Sequence, residues 1–235
     1  MRKKRFIYTL AAVLLMCSAA GVGAGCGKSS PALLDSFGTH LDTLMTSKDK
    51  LSKMDGAAAD LCVIENEDEF SENDIEAPAG ALFNITDQKT LYSKNANDER
   101  EIASITKIMT ALLAMKYADL SQEVTISYTP EGLESSAVLC GFEQGDKMML
   151  SSLLSAALIY SGNDAAIDIA IAVAGSQEAF VDMMNQESKE LMTSHTHFAN
   201  PTGLTQSKHY SSAYDVYLMF QECLKYPTFR DIIAR

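Results

Sequence analysis

Ser104 and Lys107 stand three residues apart, and Ser161 and Asn163 follow further along the chain. On a helix, a spacing of three puts two side chains on one face, one turn apart. An amine then lies beside a hydroxyl, the minimum needed to make a serine nucleophilic without histidine. A helix N-terminus at Ser104 would add free backbone N–H groups and the positive end of the macrodipole, both of which stabilise a developing oxyanion. The N–H of Ser104 itself can supply half of an oxyanion hole. A buried Lys107 would have a lowered pKa, and its neutral form could take the Ser104 proton. The Ser161 hydroxyl is suited to relay a proton to a leaving amine. The Asn163 carboxamide is suited to hold Lys107 and a substrate amide carbonyl. A Ser-x-x-Lys pair alone carries little weight, because helices are rich in both residues.

The elements that must position these groups can be read from the apolar pattern. Ala79–Ile85 and Thr90–Ser93 predict two strands around the turn at residues 86–89. From Ser104, apolar residues at Ile105, Ile108, Met109, Ala111, Leu112 and Met115 predict a helix ending near Tyr117. Val124–Ile126 predicts a short strand, and Gly141–Asp146 a turn. Leu150–Tyr160 is almost wholly apolar and predicts one buried helix. Asn163 or Asp164 can cap the next helix, Ala165–Ala174. A further helix follows Ser176, with Phe180, Met183, Met184 and Leu191 as its apolar stripe. Asn200–Gly203 is a turn, and Tyr214–Leu224 a final helix. Tyr160, beside Ser161, is expected in the core, with a cleft-lining position as the alternative. The 12 methionines are expected as core filler.

The 235 residues are 47% hydrophobic and 21% charged, an ordinary globular composition. A net charge of −12 argues against electrostatic binding to nucleic acid or to an anionic membrane surface. The acidic run Glu65–Glu76 lacks the spaced ligands and turn glycine of a calcium loop, and is expected to be a solvated linker.

Arg2–Arg5 followed by the short apolar stretch Ala11–Ala20 has the form of an export signal spanning residues 1–25. Small residues and then Cys26 resemble a bacterial lipoprotein processing site, which predicts lipidation of Cys26, although Gly23 stands where leucine is usual. Ordinary cleavage nearby and retention as an uncleaved anchor are the alternatives. All three export the protein, to the outer face of the membrane or the cell wall. Any membrane attachment would run through the signal or the lipid. Residues 27–77 form an N-terminal extension. Cys62, Cys140 and Cys223 are expected as buried small hydrophobes, with one disulfide open as an alternative.

Glu101–Leu112, around Ser104 and Lys107, closely resembles the nucleophile segment of the low-molecular-weight penicillin-binding proteins, the serine-type D-alanyl-D-alanine carboxypeptidases. Ser161–Ala166 resembles their second motif. His197–Leu204, His209–Ser211 and Ala213–Asp215 resemble the loop and helix that follow it. The resemblance runs in unbroken order over residues 78–235. It implies the serine β-lactamase/transpeptidase-like α/β fold: an antiparallel sheet flanked by helices, plus a helical subdomain. It implies Ser104 as the acyl-ester nucleophile, Lys107 as proton acceptor, and Ser161 and Asn163 as the second catalytic element. The implied substrate is the peptidoglycan stem peptide ending in D-Ala-D-Ala, with β-lactam antibiotics as covalent inhibitors. No metal or organic cofactor is implied. The family's third motif, Lys-Thr-Gly or Lys-Ser-Gly, is absent from these residues. On the resemblance the chain is a catalytic domain incomplete at its C-terminus, expected to be poorly active or inactive as it stands.

Three other readings compete with this one. A class A β-lactamase usually has Ser-Asp-Asn where this chain has Ser161-Gly162-Asn163. A zinc D,D-peptidase could be sought in Ser207, His209 and Asp215 or in His195 and His197, but a third ligand is not evident. A non-catalytic, wall-binding lipoprotein of the same fold would keep the architecture without turnover. It gives no physical reason for retaining all four polar residues.

Overall fold

The computed structural model describes residues 61–64, 75–128, 133, 135 and 137–235. The export signal, Cys26, most of the extension and the acidic run up to Asp74 lie outside the described residues. The chain divides into two compact units, residues 1–96 and 97–235.

In the first unit the expected hairpin forms. Strands β1 (Gly80–Asn84) and β2 (Lys89–Lys94) pair antiparallel. The side-chain oxygen of Asn84 accepts from the N–H groups of Thr86 and Asp87 at 3.0 and 3.1 Å, which reverses the chain. The register slips between Leu82 and Phe83. This bulge lets the consecutive residues Leu91 and Tyr92 both be buried, packed with Leu82 and Ile75. An isolated hairpin is marginally stable. Here Thr90 Oγ1 donates to Val63 O at 2.8 Å, and Lys94 Nζ to Ile75 O at 2.9 Å, fastening flanking chain to β2.

The second unit is mainly helical. Helix α1 (Lys107–Tyr117) follows a 3-10 turn at Ala103–Thr106. Met109 and Ala111–Ala114 are all buried, so α1 is apolar nearly all round and forms the centre of this unit. Strands β3 (Glu123–Thr125) and β4 (Lys147–Met149) form a second antiparallel hairpin. β4 has no signature in the sequence, because three partly exposed residues carry no readable period. After them come α2 (Leu150–Ser155), a π-helical turn (Ala156–Tyr160), α3 (Asn163–Ala174), α4 (Gln177–Glu190), α5 (Ala213–Cys223) and α6 (Pro227–Ile233). Small side chains at Ala165, Ala166 and Ala170 are fully buried and let α3 lie close to α1. Ser176 caps α4 by accepting from Ala179 N–H at 3.1 Å. Phe180 and Met184 on α4 are buried, while Met183 and Leu191 are half-buried. α6 was also not foreseen, although Pro227 at its first turn is a helix-start signal.

Leu150–Tyr160 is helical throughout, as expected, but it is not buried throughout: α2 passes into the π-helical turn, where Ile159 and Tyr160 are exposed. Ser161 adopts a left-handed conformation with φ 63°, and Gly162 N–H reaches back to Ala156 O at 3.2 Å. The last turn is thereby widened, and Tyr160 ends 63% exposed rather than in the core. Gly162, not Asn163 or Asp164, is the N-cap of α3. Met192 and Met149 are exposed, against the expectation of core filler, whereas Met109, Met184 and Met219 are buried. Cys62 and Cys223 are buried and Cys140 half-buried, and all three are free thiols.

Candidate active site

Ser104 lies in the 3-10 turn and is exposed, while Lys107 is the first residue of α1 and is buried. The helix proper therefore starts later than expected. In a 3-10 turn, residues three apart eclipse one another. That stacks the two side chains, and Lys107 Nζ lies 3.0 Å from Ser104 Oγ. Ala103, just before the serine, has φ 45°, a strained value for a residue with a Cβ.

Lys107 Nζ has two further partners, Asn163 Oδ1 at 2.9 Å and Thr202 O at 2.8 Å. As an ammonium, it gives one proton to each of the three. As a neutral amine, it has two protons and one lone pair. Both carbonyl oxygens can only accept, so they take the two protons, and the lone pair faces the Ser104 hydroxyl. Burial pushes the Lys107 pKa down to about 8, against an opposing pull from Asp164 and Cys140. The neutral form is thus accessible near neutral pH and aimed at the serine.

The Asn163 amide has a defined orientation. Its Oδ1 faces a donor, Lys107, and its Nδ2 donates to Val138 O at 3.1 Å. One Nδ2 proton remains for another acceptor. Ser161 stands two residues before Asn163, half-buried, in its left-handed conformation. Among the described residues, its hydroxyl makes no hydrogen bond to Lys107. The structure thus joins Ser104, Lys107 and Asn163 directly and brings Ser161 beside them in sequence.

The sequence reading missed how the turn at Asn200–Gly203 is used. Asn200 Oδ1 accepts from Thr202 N–H (3.1 Å), Thr202 Oγ1 (2.8 Å) and Gly203 N–H (2.7 Å), shaping the turn. It then docks on the segment that carries Ser104 and Lys107 at three points: Thr202 O on Lys107, Pro201 O accepting from Thr110 Oγ1 at 2.7 Å, and Gly203 against the Ala103–Ser104 peptide. A Cβ at Gly203, where φ is +87°, would lie 1.8 Å from Ala103 O. A Gly after Asn-Pro-Thr was the available signal, but only the fold shows what it touches.

His209, named from the sequence only in the family-like segment and as a possible zinc ligand, has a different role. It is buried, with Nδ1 accepting from Ala199 N–H at 3.0 Å and Nε2 2.7 Å from Thr106 Oγ1. The first bond leaves the proton on Nε2, which donates to Thr106. Burial and nearby His197 push its pKa down to about 4, so it is neutral. It ties the turn that carries Ser104 to the start of the docking loop. Asp215 accepts from His195 N–H and Thr196 Oγ1, both at 2.7 Å, and His197 Nδ1 lies 2.6 Å from Lys208 O. These side chains fasten loops, and among the described residues they form no group of three metal-ligating side chains.

The family model described as D-alanyl-D-alanine carboxypeptidase matches residues 66–233. The D-alanyl-D-alanine carboxypeptidase DacF of Bacillus subtilis is 42% identical over 156 residues, covering 64% of this chain and 40% of that protein. The D-alanyl-D-alanine carboxypeptidase DacA of Escherichia coli is 33% identical over 160 residues, again 64% of this chain and 40% of the relative. The chain therefore spans 40% of the length of these curated relatives. The crystal structure of the Streptomyces K15 DD-transpeptidase superposes with a TM-score of 0.63 at 29% identity, over 67% of this chain and 64% of that one. Penicillin-binding protein 6B from Escherichia coli superposes with a TM-score of 0.59 at 26% identity, over 63% and 50%. The fold is that of the penicillin-binding and transpeptidase structures, with short antiparallel sheets among helices.

Proposed function

The chain belongs to the D-alanyl-D-alanine carboxypeptidase family, and from that premise we propose that it carries the acylating centre of a serine-type D-Ala-D-Ala carboxypeptidase. The observation that carries the reading is Lys107 Nζ held between Ser104 Oγ and Asn163 Oδ1. In the proposed reaction, Ser104 Oγ bonds to the carbonyl carbon of the terminal D-Ala–D-Ala peptide as its proton passes to Lys107. The proton then moves to the leaving nitrogen by way of the Ser161 hydroxyl, the C–N bond breaks, and D-alanine departs. Water hydrolyses the ester on Ser104, returning a shortened stem peptide. The remaining Asn163 Nδ2 proton is suited to a substrate amide carbonyl. β-Lactams would acylate Ser104 by the same attack, opening their ring.

The family resemblance gives substrate carboxylate recognition and the second oxyanion N–H to a Lys-Thr-Gly strand, and these 235 residues hold no such motif. The 235-residue polypeptide by itself is accordingly proposed to be poorly active or inactive on D-Ala-D-Ala peptides, and turnover by it would refute this. The charged and apolar segment at residues 2–20 supports export to the outer face of the bacterial membrane, with Cys26 as the proposed lipid attachment point. Among the described residues, no helix is long and apolar enough to cross a membrane.

The test is covalent labelling of the protein, expressed from its intact gene, with a fluorescent penicillin, followed by mapping of the adduct. The expected result is a single adduct on Ser104, absent in Ser104→Ala. An adduct that survives that substitution, or none at all, overturns the reading. Reversible muropeptide binding without labelling would make the protein a wall-binding module instead.

A further inference from the structure

Asp164 is a buried carboxylate that the scheme above leaves unused. It is 4% exposed. Its Oδ1 accepts from Cys140 N–H at 3.0 Å and Ala165 N–H at 2.9 Å, and its Oδ2 from Gly141 N–H at 2.9 Å. Hydrogen bonds to an ionised acceptor are the strong kind. Two of the three donors belong to the non-helical segment Val138–Gly141. That segment is attached to the start of α3 at further points. Val138 O accepts from Asn163 N–H at 2.8 Å and from Asn163 Nδ2 at 3.1 Å. Cys140 Sγ packs where a side chain at Gly162 would stand, since a Cβ there would lie 2.3 Å from the sulfur.

We propose that Asp164 is a positioning residue for acylation: by clamping Val138–Gly141 onto the first turn of α3, it fixes the carbonyl that orients the Asn163 carboxamide, and so keeps Asn163 Oδ1 facing Lys107. The proposal rests on the reading of Ser104 as nucleophile and Lys107 as base. The restraint runs through hydrogen bonds and a short stretch of backbone, from Asp164 to the Cys140 and Gly141 N–H groups and along that segment to Val138 O. From there it passes to Asn163 Nδ2, and then from Oδ1 to Lys107. With the clamp released, the carboxamide is free to turn its NH₂ toward Lys107, where two donors would oppose each other.

The same carboxylate has an electrostatic effect. The charged or titratable groups acting on Lys107 are Asp164 and Cys140, while Ser104, Asn163 and Thr202 are neutral. Asp164 itself interacts with Tyr128, Cys140 and Asp168. The negative charge of Asp164 strengthens Lys107's hold on its proton. Asp164→Asn keeps an oxygen acceptor and removes that charge. It should move the Lys107 titration to lower pH, which a purely architectural side chain would not do.

Two measurements on the full protein test this. In protein labelled with ¹³C-lysine, the Lys107 Cε signal, assigned with Lys107→Arg, is followed through pH. Penicillin acylation rates are measured across the same range. Asp164→Asn is expected to lower the Lys107 midpoint by about half a unit or more and to cut the plateau acylation rate about tenfold. An adduct on Ser104 with midpoint and plateau both unmoved overturns this proposal alone. Absence of any Ser104 adduct in the wild type overturns the catalytic reading and this proposal with it. Should Asp164→Asn fail to fold, hydrogen exchange in the wild type decides. The Asn163 side-chain N–H and the Cys140 and Gly141 amides are expected to exchange slowly together. Exchange of the Asn163 group at the rate of a free amide overturns the restraint.

Discussion

Of the three atoms that the Lys107 amine touches, Ser104 Oγ, 3.0 Å away, is the one that can donate a proton to it. In the proposed acylation, the direction of proton transfer is set by this arrangement before any substrate binds. The 3-10 turn brings the pair together, and the Asn200–Gly203 loop and Asn163 hold the amine in place. Its other two protons are engaged by fixed carbonyl oxygens, so little reorganisation is needed when the serine gives up its own.

Acylation should follow the neutral fraction of Lys107. With the pKa lowered by burial to about 8, the rate of penicillin acylation is expected to rise as pH increases through 8 and to level off above it. Lys107→Arg keeps the charge and the donors but has no accessible neutral form, and should lower acylation by about a hundredfold or more. Time courses of labelling between mildly acidic and alkaline pH would check both. A flat profile would exclude Lys107 as the base.

Gly203→Ala should damage fold and site together. The new Cβ would meet the Ala103 carbonyl at 1.8 Å, at a φ of +87° that alanine resists. A cost of about 2–4 kcal/mol is expected, together with slower Ser104 acylation, because the peptide that must move carries the serine. Urea unfolding measured beside acylation rates tests this. A variant of wild-type stability and rate would show that the loop does not hold the nucleophile turn.

His209 should contribute a segment of acid sensitivity. Its folded-state pKa of about 4 lies below the ordinary value of 6.5, so the native state binds fewer protons than the unfolded state between these values. Its contribution is intact above about 6.5, declines as pH falls toward about 4, and then levels, having removed up to about 3 kcal/mol. Protonation would also put a donor on Nδ1 opposite the Ala199 N–H. The difference in stability between wild type and His209→Gln, measured against pH, should therefore change across that window. A difference independent of pH would refute the assignment.

The C-terminal end of α1 is fixed by a buried charge. Glu187, 2% exposed on α4, accepts from Lys116 Nζ at 2.9 and 2.8 Å and from Tyr117 Oη at 3.1 Å. Hydrogen bonding to Glu187 raises the Lys116 pKa. Lys116→Met should cost about 2–3 kcal/mol by leaving the carboxylate buried without its cation, and adding Glu187→Gln should recover a good part of that loss. Equal stabilities for the single and double variants would show that the pair does not act as a unit.

The amino-acid sequence by itself determined the first hairpin, the long helix ending at Tyr117, the helical run 150–160, helices over 165–174, after Ser176 and over 214–224, and the candidate residues Ser104, Lys107, Ser161 and Asn163. Each rests on a local rule: apolar periodicity, a turn residue, a cap, or two reactive side chains one turn apart. The tertiary structure decided what those rules cannot reach. Tyr160 sits in an apolar run, yet the left-handed Ser161 ends the helix and turns Tyr160 outward. Asn163 looked like a helix cap, but packing of α3 on α1 commits its carboxamide to Lys107 and Val138. His209 was weighed as a metal ligand, and the fold makes it a strut between Thr106 and Ala199. Gly203 is a turn residue in sequence, and only the approach of a loop about a hundred residues away shows that it must lack a side chain. Lys107 ties these levels together. Its identity and spacing are local, but its shifted pKa comes from burial by distant segments, and burial is a property of the folded chain.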